Sequence, residues 1–125
     1  MSNFLCICSH GNVRSACLAR EIKDINGPCI KTDEIYQKEF IKHQAVAIGA
    51  HCNHIDTITH FASWADFVID LSDNNQEVQE RLYNIAKEKY VRIDIGGDRW
   101  ANPFHPELRG ICQDIIRQMK EKGML

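Results

Sequence analysis

Residues 3–15 read NFLCICSHGNVRS, and this stretch decides the fold. Asn3 to Cys8 is a compact apolar run of strand length. It lacks the apolar/polar alternation of a half-exposed strand and suits one buried on both faces of a parallel sheet. SACLAREIKDI, 15–25, follows with Ala16, Ala19, Ile22 and Lys23 at helical spacing, and Asn26-Gly27-Pro28 stops it. Strand, short loop and helix therefore form the first unit of the chain.

The same pattern continues outward. A second helix is expected over Asp33–Lys42, with Ile35, Phe40 and Ile41 facing inward. AVAIGA, 45–50, reads as a short buried strand, DTITHFASW, 56–64, as a short helix, and ADFVIDL, 65–71, as the clearest strand. Asp73 or Asn74 is placed to cap a helix running through Lys87, with Val78, Leu82, Ile85 and Ala86 on one face. YVRIDI, 90–95, reads as a fourth strand. The last helix starts near Pro106 and turns Leu108, Ile111, Cys112, Ile115, Ile116 and Met119 inward. Lys120 and Lys122 suit its terminal dipole, and Gly123 ends it. Strands alternating with helices predict an α/β fold, a three-layer αβα sandwich on a four-stranded parallel sheet. Ligands of such sheets sit beyond the strand C-termini at the switch point, and CSHGNVRS, 8–15, lies at the end of strand one.

With 125 residues, the chain is expected to form one domain over 1–125, able to bury a core without staples. An apolar fraction of 44% and a charged fraction of 26% are those of a globular protein. A net charge of -2 gives no reason to expect nucleic acid or an anionic membrane as partner. No apolar run approaches the roughly 20 residues of a spanning helix, and the N-terminus lacks a signal-peptide layout. Six cysteines (6, 8, 17, 29, 52 and 112) could suggest a disulfide framework. Cys6 and Cys112 lie on apolar stripes, however, so reduced thiols in a cytoplasmic protein are expected. No CxxC pair is present, and His51, Cys52, His54 and His60 do not have the spacing of a recognised zinc site. They read as surface or satisfied side chains, and neither a metal nor another cofactor is expected.

CSHGNVRS has chemistry of its own. If residues 9–14 form a loop leading into the first helical turn, successive backbone N–H groups converge where the helix dipole also favours an anion. Gly11 opens a backbone angle closed to most residues, and Asn12 tolerates a left-handed conformation. Arg14 adds a planar fork matched to two phosphate oxygens. Cys8 at the mouth of that nest should have a depressed pKa, and Ser15 is placed to hydrogen-bond the sulfur. Ser9, His10, Gly11, Asn12 and Val13 would line the bound group. A phosphorylated substrate would place its phosphorus against Cys8, giving a phosphocysteine later hydrolysed by water without any metal.

The spacing C-x5-R-S, between a strand and a helix, resembles the signature loop of cysteine-based protein tyrosine phosphatases. Its position so near the N-terminus resembles the low-molecular-weight protein tyrosine phosphatase family in particular. The resemblance implies that family's flavodoxin-like topology and a phosphotyrosine protein or small phosphomonoester as substrate. It also implies a general acid far downstream, on a loop after the fourth strand. AVAIGA resembles the family's second strand, ADFVIDLSD the strand after its middle helix, and IDIGGDRWANPFHPEL, 93–108, occupies the acid-loop position. There are three departures: Gly11-Asn12 follows the dual-specificity spacing C-x-x-G-x-x-R-S, Val13 replaces the second loop cysteine, and no Asp-Pro dipeptide marks the acid loop.

Asp98 is the first candidate acid, because Gly96-Gly97 before it would let a loop swing over the pocket. Asp94 is second and His105 third. Trp100 is placed to stack on an aromatic leaving group, although Trp100 and Phe104 also suit a core. Cys6 or Cys17 could trap an oxidised Cys8, with packing the preferred role. Two alternatives to a phosphatase stand beside it: an arsenate reductase, whose redox relay is poorly supplied because the middle of the chain offers only Cys52 and no cysteine between it and Cys112, and a phosphate-binding regulatory module without turnover.

Overall fold

The computed structural model describes residues 2–25, 43–97 and 99–125. Strand β1, Ser2–Cys8, is buried without a break from Phe4 through Cys8. Side chains of a strand alternate between its faces, so burial of every one requires cover on both. Phe4, Cys6 and Cys8 pack on one face with Leu18 and Ile22 of helix α1 (Arg14–Asp24) and with Leu108, Cys112, Ile115 and Met119 of α4 (Pro106–Glu121). Leu5 and Ile7 pack on the other, with Ile58 and Ala62 of α2 (Ile55–Trp64) and with Val78, Leu82 and Ala86 of α3 (Gln76–Ala86).

Strands β2 (His43–Gly49), β3 (Phe67–Asp70) and β4 (Tyr90–Arg92) complete a four-stranded, all-parallel sheet in the order β2-β1-β3-β4. The fold is therefore a three-layer αβα sandwich with flavodoxin-like strand order, as the alternation of elements predicts. The chain steps from β1 out to β2 and then back past β1 to β3. The switch point thus falls between β1 and β3, just beyond Cys8 and Asp70.

Several boundaries differ from expectation for identifiable reasons. The fourth strand stops at Arg92; the Ile93 N–H still bonds the Asp70 carbonyl at 3.0 Å. Beyond it Asp94 Oδ1 accepts the Gly96 N–H at 3.0 Å, and Gly96 turns the chain out of the sheet at φ 92°. Helix α3 is capped by neither Asp73 nor Asn74 but by Asn75, whose Oδ1 accepts the Val78 N–H at 3.2 Å. Helix α4 starts at Pro106 as expected and is capped by His105, whose Nδ1 accepts the Glu107 N–H at 3.2 Å. It ends in a Schellman motif about Gly123 (φ 77°), with Met124 N–H bonding the Met119 carbonyl at 2.9 Å. The helix expected over Asp33–Lys42, the Asn26-Gly27-Pro28 stop and Cys29 lie outside the described residues. Among the described residues, no helix is long and apolar enough to cross a membrane.

Candidate functional site

Cys8 is the last residue of β1 and Arg14 the first of α1, so residues 9–13 form the strand-to-helix loop that the sequence predicts. Backbone contact with the end of β2 shapes this loop. The Ala50 N–H bonds the Cys8 carbonyl at 2.8 Å and the His51 N–H bonds the Ser9 carbonyl at 3.0 Å. Gly11, at φ 80°, lies so close to β2 that a Cβ there would meet Gly49 N at 2.4 Å. A Cβ on Gly49 would in turn meet the carbonyl carbon of His10 at 2.5 Å. Gly11 supplies the left-handed angle; Asn12, exposed at the loop's outer edge, does not adopt one.

Inside this loop the Cys8 sulfur collects donors. It accepts the Gly11 N–H at 3.1 Å and lies 3.1 Å from Ser15 Oγ. Burial is the largest single influence on its ionisation and opposes the thiolate. The Ser15 hydroxyl and the N–H groups of Ser15, Gly11 and His10 outweigh it together, and the Cys8 pKa lies below the ordinary thiol value. Cys6, two residues earlier on the same strand face, has no such donors, and burial pushes its thiol far up. Cys17 is engaged by the Cys112 thiol of α4 in a shared hydrogen bond, which pushes Cys112 up.

Arg14 is 1% exposed, and its guanidinium is held by four acceptors. Nη1 donates to the Leu71 carbonyl at 3.1 Å, to Asp73 Oδ1 at 2.8 Å and to the Gly96 carbonyl at 3.3 Å; Nη2 donates to Ser9 Oγ at 3.2 Å. Ser9 in turn donates to Asp73 Oδ2 at 2.9 Å. Burial opposes the Asp73 carboxylate, but the Ser9 hydroxyl and the Arg14 guanidinium hold its pKa below the usual range. The remaining donor, Arg14 Nε, is buried and has no acceptor among the described residues. A buried donor without a partner costs about 1–3 kcal/mol. Such an N–H, on the first residue of the helix whose preceding loop sets donors around the Cys8 sulfur, suits an oxyanion bound at that helix N-terminus.

Models of known protein families, curated proteins and solved structures were each compared with the chain. None matches.

Cys8, Ser9, Gly11, Arg14 and Ser15 converge on one point of the fold. Ser9 is buried, and its hydroxyl is committed to Arg14 and Asp73. His10 is exposed, with Nδ1 at 3.5 Å from the exposed Cys52 sulfur and its ring 6.1 Å from that of His51. Val13 is half-buried and packs against the core. Trp100 is 5% exposed and belongs to the core cluster that includes Cys8, with the Arg99 guanidinium 4.6 Å from its ring centre. It is thus a core residue, not an open stacking platform. Phe104, by contrast, is exposed beneath the Arg20 guanidinium.

Of the candidate acids, Asp98 lies outside the described residues. Asp94 is exposed and tied to the Gly96 N–H, and His105 is occupied as a helix cap. Gly96 nonetheless brings the segment after β4 to the Arg14 guanidinium. His54 caps α2 through the Asp56 N–H, and among the described residues no group of three or more His, Cys, Asp or Glu could hold a metal ion. Sequence reasoning missed Asp73 and Gly49. Asp73 follows the C-terminal end of β3 at the switch point, which was the available signal. Gly49 carried none beyond being a glycine at a strand end.

Proposed function

We propose that the chain is a cysteine-dependent phosphomonoesterase, similar to the low-molecular-weight protein tyrosine phosphatases. The observation that carries this reading is the pairing of a pKa-lowered Cys8 with a buried Arg14 whose Nε–H has no acceptor among the described residues. Cys8 Sγ attacks phosphorus in line with the ester oxygen. The S–P bond forms as the P–O bond breaks, and the leaving oxygen takes a proton from an acid on the segment after β4, for which Asp98 is the choice. Arg14 and the loop N–H groups hold the three equatorial oxygens throughout. Water then attacks the phosphocysteine, releasing phosphate and restoring the thiolate. The substrate class is a phosphotyrosine protein or a small phosphomonoester.

The test is metal-free hydrolysis of an aryl phosphate between pH 5 and 7. Wild type should turn over, Cys8→Ser should abolish turnover, and Asp98→Ala should reduce it about 100-fold or more. Absence of wild-type turnover with vanadate still bound would replace catalysis by phosphate recognition. One observation favours a second chemistry: Cys52 is exposed beside His10. If arsenate formed an adduct on Cys8, thiolate attack by Cys52 would release arsenite and leave a Cys8–Cys52 disulfide. Thiol-coupled arsenate reduction, lost in Cys52→Ser while phosphate ester hydrolysis persists, would identify that activity.

A further inference from the structure

Asp70 is the last residue of β3 and is fully buried, yet it touches neither the loop sulfur nor Arg14 through its side chain. Its carboxyl group is nevertheless fully engaged. Oδ1 accepts the Ser72 N–H at 2.9 Å and the Ser72 hydroxyl at 2.6 Å, while Oδ2 accepts the Tyr90 hydroxyl at 2.5 Å. Its backbone carbonyl accepts the Ile93 N–H at 3.0 Å and Arg92 Nη1 at 3.1 Å. A buried acidic side chain needs such partners, but an apolar residue at this position would need none. The group is therefore costly, and what it holds is informative.

What it holds is a turn. The bond from the Ser72 N–H back to Asp70 Oδ1 bends the chain just where β3 leaves the sheet. The residues on either side of Ser72 are Leu71, whose carbonyl accepts from Arg14 Nη1, and Asp73, whose carboxylate accepts from the same nitrogen. Tyr90, on the neighbouring strand β4, anchors the other carboxyl oxygen and ties this turn to the sheet. Burial and the Asp70 charge push the Tyr90 hydroxyl above its usual range, so it remains a donor.

We propose that buried Asp70 and Ser72 and half-buried Tyr90 form a buttress that orients Arg14, making Asp70 and Tyr90 positioning residues for oxyanion binding. They act through the Leu71 carbonyl and the Asp73 carboxylate and never meet the oxyanion themselves. The inference rests on the reading of the loop as an oxyanion site.

Vanadate binding and iodoacetate alkylation of Cys8 test it, on wild type, Tyr90→Phe and Asp70→Asn. Tyr90→Phe removes one hydroxyl and should weaken vanadate binding about threefold to tenfold, the range of an ordinary net hydrogen bond, because the loss reaches the oxyanion only through Arg14. The pH midpoint of Cys8 alkylation should stay unchanged, because the donors to that sulfur come from Ser15, Gly11 and His10. Asp70→Asn keeps an acceptor for Ser72 and should retain more affinity than Asp70→Ala. In an Arg14→Lys background, Tyr90→Phe should weaken binding no further. Loss of thermal stability in Tyr90→Phe with unchanged vanadate affinity would overturn the proposal and leave the site reading intact. A wild type that binds neither vanadate nor phosphate would overturn both.

Discussion

Replacing Gly49 by alanine should damage the loop around Cys8, although Gly49 lies on another strand. A Cβ at Gly49 would sit 2.5 Å from the carbonyl carbon of His10, 2.6 Å from its oxygen and 2.8 Å from its Cα. Cβ atoms do not approach heavy atoms closer than 3.0 Å, and all three neighbours are backbone, so no side-chain rotation can relieve the contact. The loop must move away by at least about half an ångström. Overpacking of this kind costs about 1–3 kcal/mol. A reacting geometry displaced by a full ångström loses about 100-fold, so half of that predicts a loss of roughly tenfold in vanadate affinity or aryl phosphate turnover. Gly110, inside α4 with nothing within 4 Å of its would-be Cβ, is the control. Gly110→Ala should stabilise the chain by about 0.5–1 kcal/mol and leave the loop alone. Urea unfolding and vanadate titration of both variants decide the matter. A Gly49→Ala protein within about twofold of wild type in affinity and unchanged in stability would refute the clamped-loop argument.

Ser15→Ala should raise the pH midpoint for alkylation of Cys8, since the Ser15 hydroxyl is the largest of the donors lowering that pKa. At near-neutral pH, limiting iodoacetamide followed by mass mapping should label Cys8 and leave Cys6 unmodified, because burial pushes the Cys6 thiol up without compensating donors. Asp73 has a depressed pKa in the folded state, so its contribution to stability is complete above the ordinary carboxylate value of about 4 and is lost as pH falls through the lower folded value. Asp73→Asn should flatten that part of the acid-unfolding curve by a small amount, the carboxylate being 49% exposed, and should weaken vanadate binding through Arg14. Asn75→Ala should cost about 1 kcal/mol through loss of the α3 cap, whereas Asn74→Ala should be close to neutral in urea unfolding.

The fold was legible because its signals are local and repeated. Phe4 to Cys8 is apolar at every position, which only a strand covered on both faces can satisfy, and the 3.6-residue spacing in 108–119 admits one reading. The position of the candidate site was legible for the same reason, since a strand-loop-helix unit places Cys8 and Arg14 without knowledge of the rest. Other parts depended on long-range contacts. Asp73 has the side chain of a helix cap and stands where a cap would suit; Ser9 and Arg14, far earlier in the chain, draw it away and leave the cap to Asn75. Trp100 could face a ligand or the core, and burial beside Cys8 and Leu108 settles it for the core. Asp70 fits a strand pattern as a mere interruption, and its link to Tyr90 exists only once β3 and β4 pair.

The backbone contact between the loop and β2 has a consequence for how the chain assembles. A one-residue slip of β2 along β1 would bring Ile48 or Ala50 in place of Gly49 against His10 and Gly11, and either side chain would strike main chain. The glycine pair therefore works as a register check, admitting one alignment of the two strands. It also delays completion of the loop: the bonds from Ala50 and His51 form only after residues far apart in the chain come together, a slow step in parallel sheets. A growing chain that has not yet released residues 49–51 carries the entire CSHGNVRS segment and still lacks the support that shapes it. Oxyanion affinity, followed during refolding, would thus time the docking of β2.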